Sequence, residues 1–380
     1  MVIGFDAKHM LDGDDSALGL YGRLTVDALS KHYPQSDYIL YTSSGDGADS
    51  TACINHLLMH SSVHLKSPHT KSWAESEGKA LKRSMRRHGV QVYHGLPDGF
   101  AESAAECGTP VVATVGDLAH KHFPESHSWT ERFGINRSYR KALKNASAVV
   151  ALSQFSRQEI IDSYGISPDK VKVVMPVCEA VFDKPVTSEA KEAYRQRFGL
   201  PERYVLVAGD FTERSNMLKA VEAMAQLAHH GLGMVVIGHR TAHYQKIKAL
   251  AAHLGVSGSI VRIRENSRAA LPVIYAAAEA VVCPSVYECA SLPIMRSLRC
   301  GTPVVAAKGS CMEEYGGEAA LYFSPDNATE LAQAITLATG SERERLMEAA
   351  KAQRELFTSK RLADQLSTLY REVRHAHNQQ

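Results

Sequence analysis

The chain of 380 residues carries 43 Lys and Arg against 41 Asp and Glu, with 44% apolar and 22% charged residues. This length exceeds one ordinary domain and fits two, and the composition is that of a globular protein. A net charge of +2 gives no overall electrostatic basis for binding nucleic acid or for strong attachment to a membrane.

Short apolar segments alternate with helical patterns from end to end, which is typical of a parallel sheet covered by helices. A first series of strands lies before residue 177, with a helix predicted over Arg23–His32. The predicted strands of this series are Val2–Asp6, Tyr38–Tyr41, Val63–Leu65, Val90–Tyr93, Pro110–Val115, Ala148–Ala151 and Lys170–Met175.

A second series follows an irregular stretch. Cys178–Pro185 lacks apolar periodicity, and Ser188–Phe198 predicts a charged helix. Later helices are predicted over Met217–Leu227 and Thr329–Ala338, and a final one over Lys360–Arg374. The predicted strands of this series are Tyr204–Ala208, Met234–Ile237, Ile260–Ile263, Ala280–Cys283, Pro303–Ala306 and Ala320–Phe323.

The two series predict two doubly wound α/β domains, residues 1–177 and 178–359, joined near residues 177–187. A C-terminal helix over 360–380 is expected to return toward the first domain. In doubly wound sheets, ligands bind outside the carboxyl ends of the strands. Two such domains facing a cleft would therefore suit a donor and an acceptor, although architecture alone does not name the reaction.

The most informative stretch runs from Cys283 to Val305 and predicts a strand, a loop, a short helix and the next strand. Pro293 suits the first helical position, where its missing N–H costs nothing. Gly301 suits the left-handed residue after the helix. The first turn of a helix over Pro293–Leu298 therefore presents backbone N–H groups, which form a site for a diphosphate.

This stretch resembles the signature of the retaining GT-B glycosyltransferases of family 4, P-S-x-x-E-G-F-G-L-P-x-x-E-A-x-x-x-G-x-P-V. Similar segments follow the order of that family along nearly the whole chain. They are Asp6–Lys8, Ser16–Tyr21, Val92–Leu96, Val115–Leu118, Val150–Ser156, Gly209–Asn216 and Gly309–Glu314. The resemblance implies a GT-B fold of two Rossmann-like domains. It also implies transfer of a hexose-type sugar from a nucleotide sugar to a glycan or lipid-linked acceptor, with retention.

The resemblance also implies roles for individual residues. Glu288, Asp117 and Arg214 occupy catalytic positions. In such enzymes, cations and helix-terminal N–H groups stabilise the charge that develops on the diphosphate, so we expect neither a metal nor a cofactor. The residues expected to contact the donor are Gly19, Gly209, Arg214, Ser215, Leu292, Pro293, Ile294 and Arg296.

Several donor-site positions depart from the family pattern. Arg296 replaces a glutamate that holds the ribose, Ser215 a lysine, Gly116 a histidine, and Ala17 a glycine of a glycine-rich turn. The family's Gly-Phe-Gly is Cys289–Ser291 here. Each lost charge-assisted hydrogen bond costs a few kcal/mol, so we predict weak or absent transfer. The alternative is a catalytically impaired pseudo-enzyme that acts as a binding or partner subunit.

Arg296 leads to a separate hypothesis. Because the lysine lost at Ser215 removes a positive charge from the phosphate site, Arg296 could return one and bind an anion together with Arg214. Binding should then weaken steeply with salt. Arg296→Glu should weaken diphosphate binding, and adding Ser215→Lys should restore it.

Other residues have simpler interpretations beside the functional one. Glu288 could be a solvated loop carboxylate, Asp117 could cap the segment that follows it, and His94 fits a structural histidine at a strand end. The basic helix Lys79–Arg87 fits a solvated face better than a weak contact with an anionic membrane or a lipid-linked acceptor. A nicotinamide-dependent oxidoreductase is disfavoured, because Ala17–Gly22 lies about ten residues beyond its strand.

The expected location is cytoplasmic, with at most peripheral contact with the inner face of the membrane. Charge appears by Asp6, so the first residues do not form a signal peptide. No apolar run approaches the ~20 residues of a membrane span. The seven cysteines are odd in number and contain no C-x-x-C pair, which favours free thiols over disulfides or zinc.

Overall fold

A computed structural model describes residues 1–11, 17–42, 53–68, 77–95, 104–105, 107–126, 128–238, 241, 243–263 and 270–379. The chain divides into two compact units. Unit 1 is Met1–Val177 with Phe357–Gln380, and unit 2 is Cys178–Leu356. Each unit contains a parallel sheet with helices between its strands, so the predicted α/β fold with two doubly wound domains is confirmed.

The unit 1 sheet has seven parallel strands in the order β3-β2-β1-β4-β5-β6-β7. The strand order reverses between β1 and β4, the switch point of this sheet. The strands are β1 (Val2–Asp6), β2 (Asp37–Tyr41), β3 (Val63–Lys66), β4 (Val92–Gly95), β5 (Val111–Val115), β6 (Ala148–Ala151) and β7 (Val171–Val173). The described helices before residue 177 are α1 (Ala17–His32), α2 (Asn55–Leu58), α3 (Glu77–His88), α4 (Ala119–His122), α5 (Trp129–Asn145) and α6 (Gln154–Tyr164).

The unit 2 sheet has six parallel strands in the order β10-β9-β8-β11-β12-β13, with its switch point between β8 and β11. The strands are β8 (Tyr204–Ala208), β9 (Gly233–Ile237), β10 (Ile260–Ile263), β11 (Ala280–Cys283), β12 (Val304–Ala307) and β13 (Ala320–Phe323). The described helices are α7 (Ser188–Phe198), α8 (Met217–Gln226), α9 (Tyr244–His253), α10 (Leu271–Ala277), α11 (Leu292–Cys300), α12 (Met312–Gly316), α13 (Ala328–Thr339) and α14 (Arg343–Gln353).

Helix α8 shows why these segments fold as they do. Met217, Ala220, Val221 and Met224 recur at the spacing of one helical face, and all four are buried. They join Val205 and other strand residues in the core of unit 2. Periodicity therefore determines which face of the helix covers the sheet.

The last helix, α15 (Ser359–Asn378), packs on unit 1. Its apolar face is buried, and two polar contacts join its first residues to the last residue of α1 and to the residue that follows it. His32 Nε2 lies 3.0 Å from Ser359 Oγ, and the Tyr33 hydroxyl donates to Asp364 Oδ1 at 2.6 Å. The buried apolar residues of α15 are Leu362, Ala363, Leu366, Leu369, Tyr370 and Val373.

The basic helix α3 turns its apolar residues inward. Ala80, Leu81 and Met85 are buried within unit 1, whereas Arg86 and Arg87 are exposed. The helix therefore has the character of a solvated amphipathic helix rather than of one with an outward apolar face. Within the described ranges, no helix combines the length and the apolar character that crossing a membrane requires.

Candidate functional site

The switch point of the unit 2 sheet brings together two loops that carry predicted site residues. Strands β8 and β11 are hydrogen-bonded neighbours, and each is followed by one of these loops. The Val286 N–H in the second loop donates to the Arg214 carbonyl in the first, at 2.9 Å. Arg214 and Glu288 are therefore held at the same end of the sheet, where doubly wound domains bind their ligands.

Two glycines shape the start of the loop after β8. Gly209 has φ +151°, and its N–H donates to the Ile237 carbonyl at 2.9 Å. Gly238, at the end of β9, faces it so closely that an added Cβ would overlap the Gly209 carbonyl oxygen. The two backbones can meet only because position 238 has no side chain.

The same loop is braced by its own side chains. The Ser215 hydroxyl donates to the Thr212 carbonyl at 2.7 Å and accepts from the Thr212 N–H at 3.2 Å. Asn216 adopts φ 53°, and its side-chain amide donates to the carbonyls of Pro284 and Pro325. The family resemblance predicts that Ser215 contacts the sugar donor. In the structure, its hydroxyl hydrogen-bonds to the backbone of its own loop.

Glu288 lies in a half-buried position among cysteine thiols. Its carbonyl accepts from the Cys311 N–H at 3.3 Å, which ties this loop to the one after β12. Burial raises the pKa of the Cys283 thiol to about 12, and the nearby Glu288 carboxylate adds to the effect. Burial and Glu288 also raise the pKa of Cys311. These thiols stay protonated at neutral pH beside a carboxylate.

Helix α11 begins one residue earlier than predicted. Its first residue is Leu292, so Pro293 occupies the second position, and Ser291 is the N-cap. The Ser291 hydroxyl accepts from the Ile294 N–H at 3.5 Å. Gly301 ends the helix with φ 67°, which confirms the predicted left-handed cap. Since Pro293 has no N–H and Ile294 faces its cap, Leu292 carries the helical N–H best suited to an anion.

Arg296 has a partner that the sequence analysis did not identify. Its Nε donates to Glu179 Oε2 at 3.2 Å, and its Nη2 donates to Glu179 Oε1. Burial alone would lower the pKa of the Arg296 guanidinium, but the charge and hydrogen bonds of Glu179, together with Tyr275 and Cys178, raise it overall. Both side chains are largely buried, with 15% of Arg296 and 9% of Glu179 exposed. The Arg296 guanidinium, which the sequence analysis expected to bind an anion, is therefore already paired with the Glu179 carboxylate.

Gly19 and Asp117 lie in unit 1. Gly19 is part of the first turn of α1, not of a glycine-rich turn, and an added Cβ would overlap the His9 carbonyl oxygen. Helix α1 begins at Ala17, which corrects the predicted start at Arg23, and Gly19 allows the close approach of the His9 backbone. The Asp117 carboxylate accepts from the N–H of Ala119, the first residue of α4, although the N-cap residue of that helix is Leu118.

The space beside Gly116 is occupied by Leu18. A Cβ at position 116 would overlap the Leu18 Cδ2 methyl. Because Leu18 extends from the first turn of α1, it fills volume that a larger residue at 116 would need. Position 116, where the family has a histidine, is therefore a glycine with the apolar side chain of Leu18 beside it.

His94 is a structural residue in a chain of buried hydrogen bonds. Its Nδ1 lies 2.6 Å from the Tyr370 hydroxyl of α15, and its Nε2 lies 2.6 Å from Thr114 Oγ1. Tyr21 of α1 reaches the same threonine at 3.2 Å. Burial lowers the pKa of His94 to about 3. The imidazole is therefore neutral and links α15 to the sheet, as the structural interpretation predicted.

We expect unit 1 to lose stability as the pH falls from about 7 to about 5. The pKa of His94 is about 3 when folded and near 6.5 when unfolded, so the unfolded chain binds the proton first. Protonation of the unfolded form should remove about 2 kcal/mol of unfolding free energy over this interval. Urea denaturation across this pH range measures the loss. It should shrink in His94→Asn but persist in His64→Asn, whose imidazole is 44% exposed.

Comparisons with known proteins match each of the two units to a glycosyltransferase family model. The sequence matches the family model described as Glycosyl transferases group 1 over residues 190–355. It also matches the one described as Glycosyltransferase Family 4 over residues 24–176. The first match lies within unit 2, and the second lies within unit 1.

Individual relatives extend these matches. O-antigen chain mannosyltransferase B of Escherichia coli is 24% identical over 281 residues, which cover 73% of this chain and 70% of that protein. D-inositol 3-phosphate glycosyltransferase of Acidothermus cellulolyticus is 28% identical over 60% of this chain, which spans only 54% of that relative. The crystal structure of Anabaena Alr3699/HepE in complex with UDP has a TM-score of 0.76 at 17% identity, covering 98% of this chain and 99% of that one.

Proposed function

We propose that this chain, which matches two glycosyltransferase family models and has the GT-B fold, moves a hexose-type sugar from a nucleotide-sugar donor to a glycan or lipid-linked acceptor. Retention of configuration and independence from a metal are part of this proposal. The main observation in its support is the hydrogen bond from the Val286 N–H to the Arg214 carbonyl, which joins the two loops at the switch point of unit 2. The complex of Anabaena Alr3699/HepE with UDP supports a nucleotide as the ligand class.

Arg214, Glu288 and the first turn of α11 have separate roles in this proposal. The Arg214 guanidinium would meet the diphosphate, where it stabilises the negative charge that grows as the glycosyl bond breaks. The N–H of Leu292 and the positive end of the helix dipole would add to this effect. Glu288 would accept hydrogen bonds from sugar hydroxyls. In unit 1, Asp117 would lie on the acceptor side, with its carboxylate oriented by the Ala119 N–H.

The alternative, a partner subunit with little turnover, is favoured by one feature. Two of the changed positions have local partners, because Leu18 fills the space beside Gly116 and Glu179 pairs with Arg296. The altered residues are therefore accommodated by the packing around them. Such a protein would bind a nucleotide sugar and release it unchanged.

A thermal-shift screen against UDP, GDP, ADP and their sugar conjugates separates these functions. A ligand at about 100 times its Kd adds about 2.7 kcal/mol to the stability of the folded state, so we expect the Tm to rise by several degrees. Donor hydrolysis is then measured with the ligand that binds. Slow hydrolysis supports the transferase, and binding without hydrolysis supports the partner subunit. No shift with any nucleotide or nucleotide sugar would refute both.

A further inference from the structure

Two arginines of helix α11 hold the segment that begins unit 2. This segment, Cys178–Asp183, ends in a 3-10 turn over Ala180–Asp183. Arg296 pairs with Glu179 through two nitrogens, and three residues later Arg299 Nη1 lies 2.7 Å from Asp183 Oδ1. The first pair is nearly enclosed, whereas 51% of the Asp183 side chain is exposed. The two ion pairs therefore differ in burial although they share the same helix and the same segment.

Aromatic rings complete the enclosure of the inner pair. The Phe182 ring lies 5.3 Å from the Arg296 guanidinium carbon and is itself 2% exposed. Tyr275 of α10 packs edge-on against Phe182, with ring centroids 5.6 Å apart. A guanidinium in this place is held by a carboxylate and by the face of a ring, so its direction is fixed. Little freedom remains for it to turn toward another anion.

The structure assigns Arg296 the role of a positioning residue, which through Glu179 fixes helix α11 so that its first turn can bind the donor diphosphate. This assignment rests on the proposed function for its ligand. It replaces the hypothesis that Arg296 itself binds the anion. The two ideas predict opposite results when the charge of Glu179 is removed.

The decisive variant is Glu179→Gln, which keeps the size of the side chain. If Arg296 bound the diphosphate directly, removing the adjacent negative charge would strengthen binding. If Arg296 positions α11, the bidentate carboxylate contact is lost and binding weakens. We expect the Kd of the tightest-binding nucleoside diphosphate, UDP, GDP or ADP, to rise about tenfold. The slope of log Kd against log salt should stay unchanged, because no contact with the anion is removed.

Asp183→Asn is the matched control, since it removes the exposed ion pair of the same helix. Its Kd should stay within about twofold of the wild-type value. A cycle with Arg296→Gln and Glu179→Gln/Arg296→Gln adds a second criterion. If Arg296 acts through Glu179, the arginine substitution should cost little once Glu179 has been changed. Unchanged or tighter binding in Glu179→Gln, or a smaller salt slope in Arg296→Gln, would overturn the assignment.

Hydrogen exchange of the ligand-free protein tests the assignment without any nucleotide. The amides of residues 294–300 should exchange faster in Glu179→Gln than in the wild type, and Asp183→Asn should leave them unchanged. Equal exchange in the wild type and Glu179→Gln would refute the positioning role. If the wild-type chain binds no nucleotide at all, the proposed function fails, while this exchange measurement still decides whether Glu179 fixes α11.

Discussion

Replacing Arg214 by methionine is expected to lower donor turnover about 100- to 1,000-fold. Methionine retains much of the aliphatic length of arginine but removes the guanidinium that would meet the diphosphate in the transition state. The loop should keep its place, because Val286 bonds to the backbone carbonyl of residue 214 rather than to its side chain. Donor hydrolysis and nucleoside diphosphate affinity should therefore fall while the Tm changes little.

Arg345→Met is a matched control for this substitution. Arg345 lies on α14 of unit 2, its side chain is 49% exposed, and it pairs with Glu342. Turnover in this variant should stay within about twofold of the wild-type value, since exposed ion pairs contribute little. Hydrolysis in Arg214→Met that remains within about threefold of the wild type would contradict the role proposed for Arg214.

Gly238→Ala is expected to destabilise unit 2 by about 3 kcal/mol or more, near the upper end of single substitutions. The added methyl would overlap a backbone carbonyl oxygen, that of Gly209, so no flexible side chain can move aside to relieve the clash. The loop that begins at Gly209 would have to shift, and nucleotide affinity should fall with stability. Urea denaturation and a nucleotide titration measure the two effects.

Gly258→Ala provides the comparison within the same unit. A Cβ at position 258 meets no heavy atom within 4 Å, so this substitution should change stability by less than about 1 kcal/mol. The interpretation of Gly238 as a site of close backbone approach would be wrong if both alanine variants unfolded at the same urea concentration as the wild type.

Strands were the part of the fold that the sequence predicted best. Six of them, β1, β6, β8, β10, β11 and β13, have the predicted bounds, because each is a short and mainly apolar run. Helix α1 begins six residues earlier than predicted. Its first turn contains Gly19, which suggests a loop, and only the distant His9 carbonyl explains why a glycine is needed inside a helix.

The candidate site was predictable in part. Pro293 and Gly301 predicted helix α11 because preferences at helix ends act locally, whereas the N-cap Ser291 was not identified from the sequence. Glu179 was missed because its partner lies 117 residues away and the stretch around it has no periodicity. A signal was present: a carboxylate between Cys178 and the apolar Ala180–Phe182 is costly to bury without a cation. The sequence therefore indicated that Glu179 needs a cationic partner, but it could not identify that partner as Arg296.

The position of α15 affects how the chain matures on the ribosome. All strands of unit 1 are synthesised before unit 2, yet the helix that supplies Tyr370 to His94 is synthesised after the last residue of unit 2. The first domain therefore stays incomplete while the second, continuous in sequence, can already fold. A nascent chain interrupted near residue 356 would contain every proposed donor-site residue and still expose apolar surface on α1. Chaperones and proteases could recognise such a product even though its unit 2 is complete.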